Sequence, residues 1–232
     1  MSFNPSKCNT INITRKRTKI HHNYSLYNQI LENVPSTAYQ GVELASDLTW
    51  KDHIHKICTK ANNKLAFIRR NLQINNTGVK ETAYKGLVRP ASEYCATIWD
   101  PHHKKYIDQI EAIQRRAARF VLNNYNYKAS VTDMLDRFGW ESLELRILRA
   151  RLAMFFRIQH NLIAVPLPPF ITRPYRLKPD FPHQYRIVFA STEAYKNSFF
   201  VRTVYQWNHL PSSIATLTTL NSFKEALSSY YP

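Results

Sequence analysis

At 232 residues, 44% of them hydrophobic and 13% aromatic, the chain can build one large packed domain or two small ones, which excludes a disordered polymer. Lys and Arg number 32 against 16 Asp and Glu, a formal charge of +16, so a compact fold repels itself unless something anionic lies against it. The 4 glycines are scattered, which excludes a phosphate-cradling P-loop and a dinucleotide loop.

Residues 1–48 read as short strands. Ile11 and Ile13 alternate with Asn12 and Thr14, and a basic connection of Arg15, Lys16, Arg17 and Lys19 follows. Tyr24, Leu26, Ile30 and Leu31 flank Asn28 and Gln29, a candidate hairpin turn. Tyr39, Val42 and Leu44 predict a third strand, with Gly41 as a bulge or a point of close approach.

From Thr49 the apolar period changes to about 3.6. Thr49 and Asp52 have the spacing of a capping box. Ile54, Ile57, Cys58, Ala61, Leu65, Ile68 and Leu72 share one helical face, and Lys56, Lys60 and Lys64 share another. A second helix, from Val79 to Trp99, should kink or break near Arg89, because Pro90 interrupts it. A third, from Lys104 to Asn124, buries Ile107, Ile110, Ile113, Ala117, Phe120 and Val121 and sets Lys104, Lys105, Arg115, Arg116 and Arg119 largely opposite. Glu111 is spaced to pair with Arg115.

Ser130 and Asp133 start a short helix that stops at Gly139. A long helix from Ser142 to Leu162 has Leu145, Leu148, Leu152, Phe155 and Phe156 as its stripe, with Arg146, Arg149, Arg151 and Arg157 on the rest. Pro166, Pro168, Pro169, Pro174, Pro179 and Pro182 predict a semi-extended linker. Beyond it come an aromatic cluster (Tyr195, Phe199, Phe200, Tyr205 and Trp207) and a last helix from Asn221 to Tyr230. The expected fold is mainly α with a small N-terminal antiparallel β region. Its expected parts are 1–48, 49–163, a linker at 164–190, and a C-terminal extension at 191–232.

The chemistry that is missing narrows the function. There is no nucleophile elbow, no His-Glu-x-x-His and no Cys-x-x-Cys. The close pairs among the 9 His lack Cys or acidic neighbours at metal-ligand spacing. Cys8, Cys58 and Cys95 are odd in number and widely spaced, as in a reduced, intracellular protein. No apolar run reaches the ~20 residues of a bilayer span. Two-metal nucleotidyl transfer needs carboxylates held together, and no two acidic residues are adjacent in this chain. The basic excess points first to nucleic acid, through counterion release, and second to an anionic membrane surface.

Several phrases together carry a family resemblance. Phe3-Asn4-Pro5-Ser6-Lys7-Cys8 runs into Ile11 to Arg17; Tyr39-Gln40-Gly41-Val42 and Leu48-Thr49-Trp50-Lys51-Asp52-His53-Ile54 follow. Then come Lys60-Ala61-Asn62, Leu65 to Leu72, Leu87-Val88-Arg89-Pro90, Glu93-Tyr94 and Ile98-Trp99-Asp100-Pro101. Gln114 to Val121, Phe199 to Thr203 and Trp207-Asn208-His209-Leu210-Pro211 complete the series. In this order they resemble the segment after the catalytic palm in jockey-like and chicken-repeat-like non-LTR retrotransposon reverse transcriptases. The resemblance implies end-of-palm, primer-grip-like strands, a helical thumb and a C-terminal extension. It implies that the catalytic Asp pair, the magnesium it holds, the fingers and the rest of the palm lie upstream in the same polyprotein. This chain alone is then expected to be inactive, to need no cofactor of its own, and to contact RNA, DNA or an RNA–DNA hybrid inside an intracellular ribonucleoprotein, nuclear or cytoplasmic, with no membrane role. Gln40, where the family has Leu, and Glu43, where Thr is commoner, are departures that suggest a decaying element copy.

The candidate nucleic-acid contacts are Lys56, Lys60, Lys64, Arg69, Arg70, Arg115, Arg116 and Arg119 on the helices, and Arg15, Lys16, Arg17 and Lys19 near the primer end. The last group reads equally as a nuclear-import patch. A competing reading takes the helix of Arg146 to Arg157, with Phe155 and Phe156, as an amphipathic surface for membrane or protein. The tryptophans Trp50, Trp99, Trp140 and Trp207 are assigned to packing.

Overall fold

The computed structural model describes residues 3–14, 16–18, 20, 22–176 and 182–231. The chain is mainly helical with a few small strand pairs near its N-terminus, in two compact units, Met1–Thr59 and Lys60–Pro232.

Among the described residues the first unit holds six short strands: β1 (Asn9–Thr10), β2 (Ser25–Leu26), β3 (Gln29–Ile30), β4 (Glu32–Asn33), β5 (Ser36–Tyr39) and β6 (Val42–Ala45). β1 pairs with β4 in parallel, while β2–β3 and β5–β6 are antiparallel hairpins. Ile11 and Ile13 lie outside any strand. The first hairpin turns on Tyr27 and Asn28, at φ 50° and 63°. The second turns on Gln40 and Gly41, at φ 49° and 80°, so the segment expected as a single strand doubles back. Two consecutive positive φ angles are what a two-residue hairpin turn needs, and Gly supplies one without strain. Gly41 is therefore a turn residue and not a bulge. Gln40 is exposed at the hairpin tip, where a polar side chain replaces no core contact.

Helix α1 (Lys51–Asn71) continues from the first unit into the second. Its first helical bond is accepted by the Trp50 carbonyl from Ile54 N–H, and Thr49 is tied to Asp47 rather than to Asp52. Ile54, Ile57, Cys58, Ala61, Leu65 and Ile68 are all buried, as their spacing requires.

In the second unit the expected single kinked helix is broken into pieces. α2 (Thr77–Ala83) widens into a π turn at Tyr84–Val88, then α3 (Arg89–Glu93) and α4 (Ala96–Trp99) follow. Pro90 has no N–H and its ring would strike the carbonyl four residues back. The π turn immediately before it, closed by Arg89 N–H onto the Tyr84 carbonyl, makes room. A second break comes at Cys95, at φ 54°, and leaves the Tyr94 carbonyl to accept from the Trp99 indole at 2.8 Å.

Then come α5 (Lys104–Leu122), α6 (Val131–Arg137) and α7 (Leu143–Gln159), close to the expected bounds. Asn123, at φ 51°, ends α5; Ser130 and Ser142 cap α6 and α7 by accepting from Asp133 N–H and Leu145 N–H. Four more helices close the chain: α8 (Glu193–Lys196), α9 (Phe199–Trp207), α10 (Ser212–Ala215) and α11 (Leu220–Tyr230).

The apolar stripe of α7 meets the C-terminal helices directly. Leu152, Phe155 and Phe156 share one buried cluster with Val204, Trp207, Leu210, Phe223 and Leu227. The proline-rich stretch joins this cluster through Ile171 and Tyr185. Arg173 lies over the Tyr185 ring at 4.0 Å, and the Asn208 side chain clamps the Tyr185 backbone by two hydrogen bonds, at 2.9 and 2.7 Å. The segment expected to be a linker thus carries core side chains, and the C-terminal extension shares its core with α7.

Candidate nucleic-acid interface

The predicted basic contacts that lie among the described residues fall in both units. Arg15 and Lys19 lie outside the described residues. Lys16 and Arg17 are exposed in the first unit. Lys56, also in the first unit, has its ammonium 2.9 Å from Glu43 and is partly neutralised there. Glu43 also accepts from Ser36, so the residue that departs from the family pattern has a structural use. The nearby Lys56 hydrogen bond is the main cause that holds the Glu43 carboxyl below its ordinary range.

His53 is buried beside this pair, and its Nδ1 accepts from Glu43 N–H at 3.1 Å. Burial, more than any charge, holds its pKa below the ordinary 6.5. A histidine whose folded pKa is depressed contributes stability that is complete above its unfolded pKa and is lost as pH falls toward the folded value. The first unit is therefore expected to lose stability as pH drops below about 6.5. Thermal melts of the whole chain and of His53→Gln across that window check this: the variant should lose less on acidification than the wild type. Parallel pH curves would exclude His53 as the source.

On α1, Lys60 and Lys64 flank one side of the buried stripe and Asn62 and Arg69 the other, since two residues differ by about 200° around a helix. Lys60 is exposed, and Lys64 donates to the Leu87 carbonyl at 3.1 Å. On the opposite flank α1 meets α5. Arg116 donates to the Asn62 amide oxygen at 2.9 Å. Arg69 and Arg70 occupy the last turn of α1, where the carbonyl end of the helix favours cations, and the Arg69 guanidinium lies 5.4 Å from the centre of the Tyr125 ring.

The Gln114 to Val121 string divides by direction. Gln114, Ala117, Ala118, Phe120 and Val121 face inward, and Gln114 donates to the Glu141 carbonyl at 2.8 Å while accepting from the Tyr84 hydroxyl at 3.3 Å. Arg115 is half-buried and bonds the Asp108 carbonyl. Its expected partner Glu111 instead accepts from Glu144 N–H at the start of α7, and burial raises the Glu111 pKa. Arg119 donates to the Asn126 carbonyl at 2.8 Å and so holds the following loop. Among the described residues, Arg69, Arg70, Arg116 and Arg119 have no carboxylate partner. Arg69 and Arg70 end α1, Arg116 joins α1 to α5 through Asn62, and these four are the basic ridge of the two helices.

The cations of α7 are used differently. Arg146 makes a two-pronged pair with Glu93 at 2.8 and 2.9 Å, and Arg149 pairs with Glu141 at 2.6 Å. Arg151 is buried against Asp100 and Gln206, and Arg202 reaches the same Asp100 at 3.2 Å. Phe155 and Phe156 are fully buried, so this helix offers no amphipathic surface of the kind the competing reading requires. Trp99, Trp140 and Trp207 are buried, as their assignment to packing anticipates. Sequence reasoning missed Tyr125 and Tyr127, both exposed beside the ridge. Their signal was the aromatic interleaving in Asn124-Tyr125-Asn126-Tyr127-Lys128.

Among the described residues no group of three His, Cys, Asp or Glu is placed to hold a metal ion, and no helix is long and apolar enough to cross a membrane. A match 132 positions long, covering 52% of the chain, is 30% identical to a protein of Drosophila melanogaster described as a probable RNA-directed DNA polymerase from transposon X-element. That stretch spans 14% of the Drosophila protein. No family model matches the chain, and no solved structure does. Over about half its length, the chain is related to the reverse transcriptase of a transposon.

Proposed function

We propose that this chain is the non-catalytic C-terminal part of a non-LTR-type reverse transcriptase, comprising end-of-palm strands, a thumb-like helical region and a C-terminal extension that grips the template–primer backbone. The observation that supports this most is the ridge of Arg69, Arg70, Arg116 and Arg119, uncompensated by carboxylates on a protein of charge +16, in a chain related to an RNA-directed DNA polymerase. Guanidinium groups on rigid helices suit phosphate oxygens, which position a duplex without reading its sequence.

Three acidic residues of the helical unit are committed to arginines: Asp100 to Arg151 and Arg202, Glu93 to Arg146, and Glu141 to Arg149. They do not suit a magnesium pair. Carboxylates elsewhere in the protein, on the remaining palm, would hold the metals, and the assembled polymerase would work as an intracellular ribonucleoprotein.

The test is the affinity of the whole chain for a short RNA–DNA hybrid across a salt series. Each phosphate contact contributes about 0.9 to the slope of log affinity against log salt. Replacing Arg69, Arg70 and Arg116 by Ala is expected to flatten that slope by about 2–3. A slope that the three substitutions leave unchanged would remove this ridge from the contact surface.

A further inference from the structure

The connection from α5 to α6, residues 123–130, has features that backbone gripping does not use. Tyr127 is 83% exposed and Tyr125 52% exposed, two residues apart on the same loop. Each has a cation at its face: Arg69 lies 5.4 Å from the Tyr125 centroid and Lys128 5.7 Å from that of Tyr127. Side-chain hydrogen bonds brace the loop. Asn124 and Asn126 side chains accept from Asn126 N–H and Lys128 N–H at 3.1 and 3.0 Å, and Arg119 fastens the Asn126 carbonyl. Arg116, one turn before Arg119 on α5, is a further exposed cation of this helix and donates to Asn62 at 2.9 Å. Two exposed phenol rings offer flat apolar surface to a flat partner, and the cations beside them suit an anionic occupant.

We infer that this loop is a stacking platform for unpaired nucleotides: Tyr125 and Tyr127 take bases on their faces, and Arg69, Arg116 and Lys128 take the phosphates between them. The occupant is single-stranded RNA or DNA running off the end of a duplex held on the ridge. The inference rests on the nucleic-acid reading above and adds a preference for duplexes that carry a single-stranded tail. Base–aromatic stacking tolerates any sequence, because every base has a π-face.

The experiment compares a short blunt RNA–DNA hybrid with the same hybrid bearing a thymidine overhang of a few nucleotides, bound by the whole chain. The wild type should bind the tailed hybrid about tenfold or more tightly than the blunt one. Tyr125→Ala with Tyr127→Ala should erase that gain and leave blunt-hybrid affinity nearly unchanged. Tyr125→Phe with Tyr127→Phe should keep it, since the ring is retained. Both rings are exposed, so a circular-dichroism melt should show the folded chain in all three. A tail that adds nothing to wild-type affinity, or a gain that survives both alanines, overturns the platform while leaving the ridge intact. Failure to bind either hybrid at low salt overturns the ridge and the platform together.

Discussion

Replacing Asp100 by Ala is expected to lower the melting temperature by about 10 °C, from the ~3–5 kcal/mol that breaking a buried ion pair costs and the size of the unit. Asp100 follows the fully buried Trp99 at the end of α4, and its carboxylate is the shared partner of Arg151 on α7 and Arg202 on α9. Arg151 is 2% exposed, so removing the carboxylate leaves a guanidinium out of water with only Gln206 to receive it. The loss comes from the stranded charge more than from the missing attraction. Arg151→Met added to Asp100→Ala should therefore recover part of the melting temperature, whereas additive losses would show that the two residues do not act as a unit. A single Asp100→Ala variant that melts within a degree or two of the wild type would mean that water reaches the network.

Trp207→Ala should cost about 3–5 kcal/mol in urea unfolding. Trp207 is fully buried between Phe155 at 5.1 Å and Phe223 at 5.5 Å, and its indole N–H donates to the His183 carbonyl at 3.2 Å. One side chain thus ties α7, α9 and α11 to the proline-rich segment. Trp207→Phe keeps most of the ring contacts and loses that hydrogen bond, so a smaller loss is expected. Equal losses for the two variants would place the energy in the polar contact and not in the packing.

These residues also show what could be read in advance. The helix of Ile107 to Val121 and the caps at Ser130 and Ser142 were legible because their signals lie within one or two turns of the chain. The apolar face of α1 followed from spacing alone; on α7 Leu152, Phe155 and Phe156 did, while Ile147 and Arg151, which were not expected on the buried face, lie on it. The partners of those faces did not. Nothing local ties Phe156 to Phe223, although their rings stack at 4.6 Å, so the proline-rich stretch and the final helices read as separate parts. Charge was legible in number but not in use. Lys56, Arg146, Arg149 and Arg151 look as available in sequence as Arg69 and Arg116, and only their folded neighbours separate paired from unpaired cations. The Ile98-Trp99-Asp100-Pro101 phrase entered as a mark of resemblance, and the structure gives it a physical content: a buried indole, a bridging carboxylate and a buried proline. The turn at Gln40 and Gly41 was missed because turn chemistry usually announces itself with Asn or Asp before Gly, and here Gln takes that place.

The central claim is that a polyanion is gripped through its phosphates by arginines that the fold leaves unpaired. The most direct measurement is the equilibrium affinity of the intact wild-type chain for a blunt RNA–DNA hybrid, repeated with the strands' base order shuffled and with salt raised in steps. The account predicts one shared straight line of log affinity against log salt, falling with a slope of about 3 or more and indifferent to sequence. Affinity that stays level as salt rises, or that follows the base order, would contradict it.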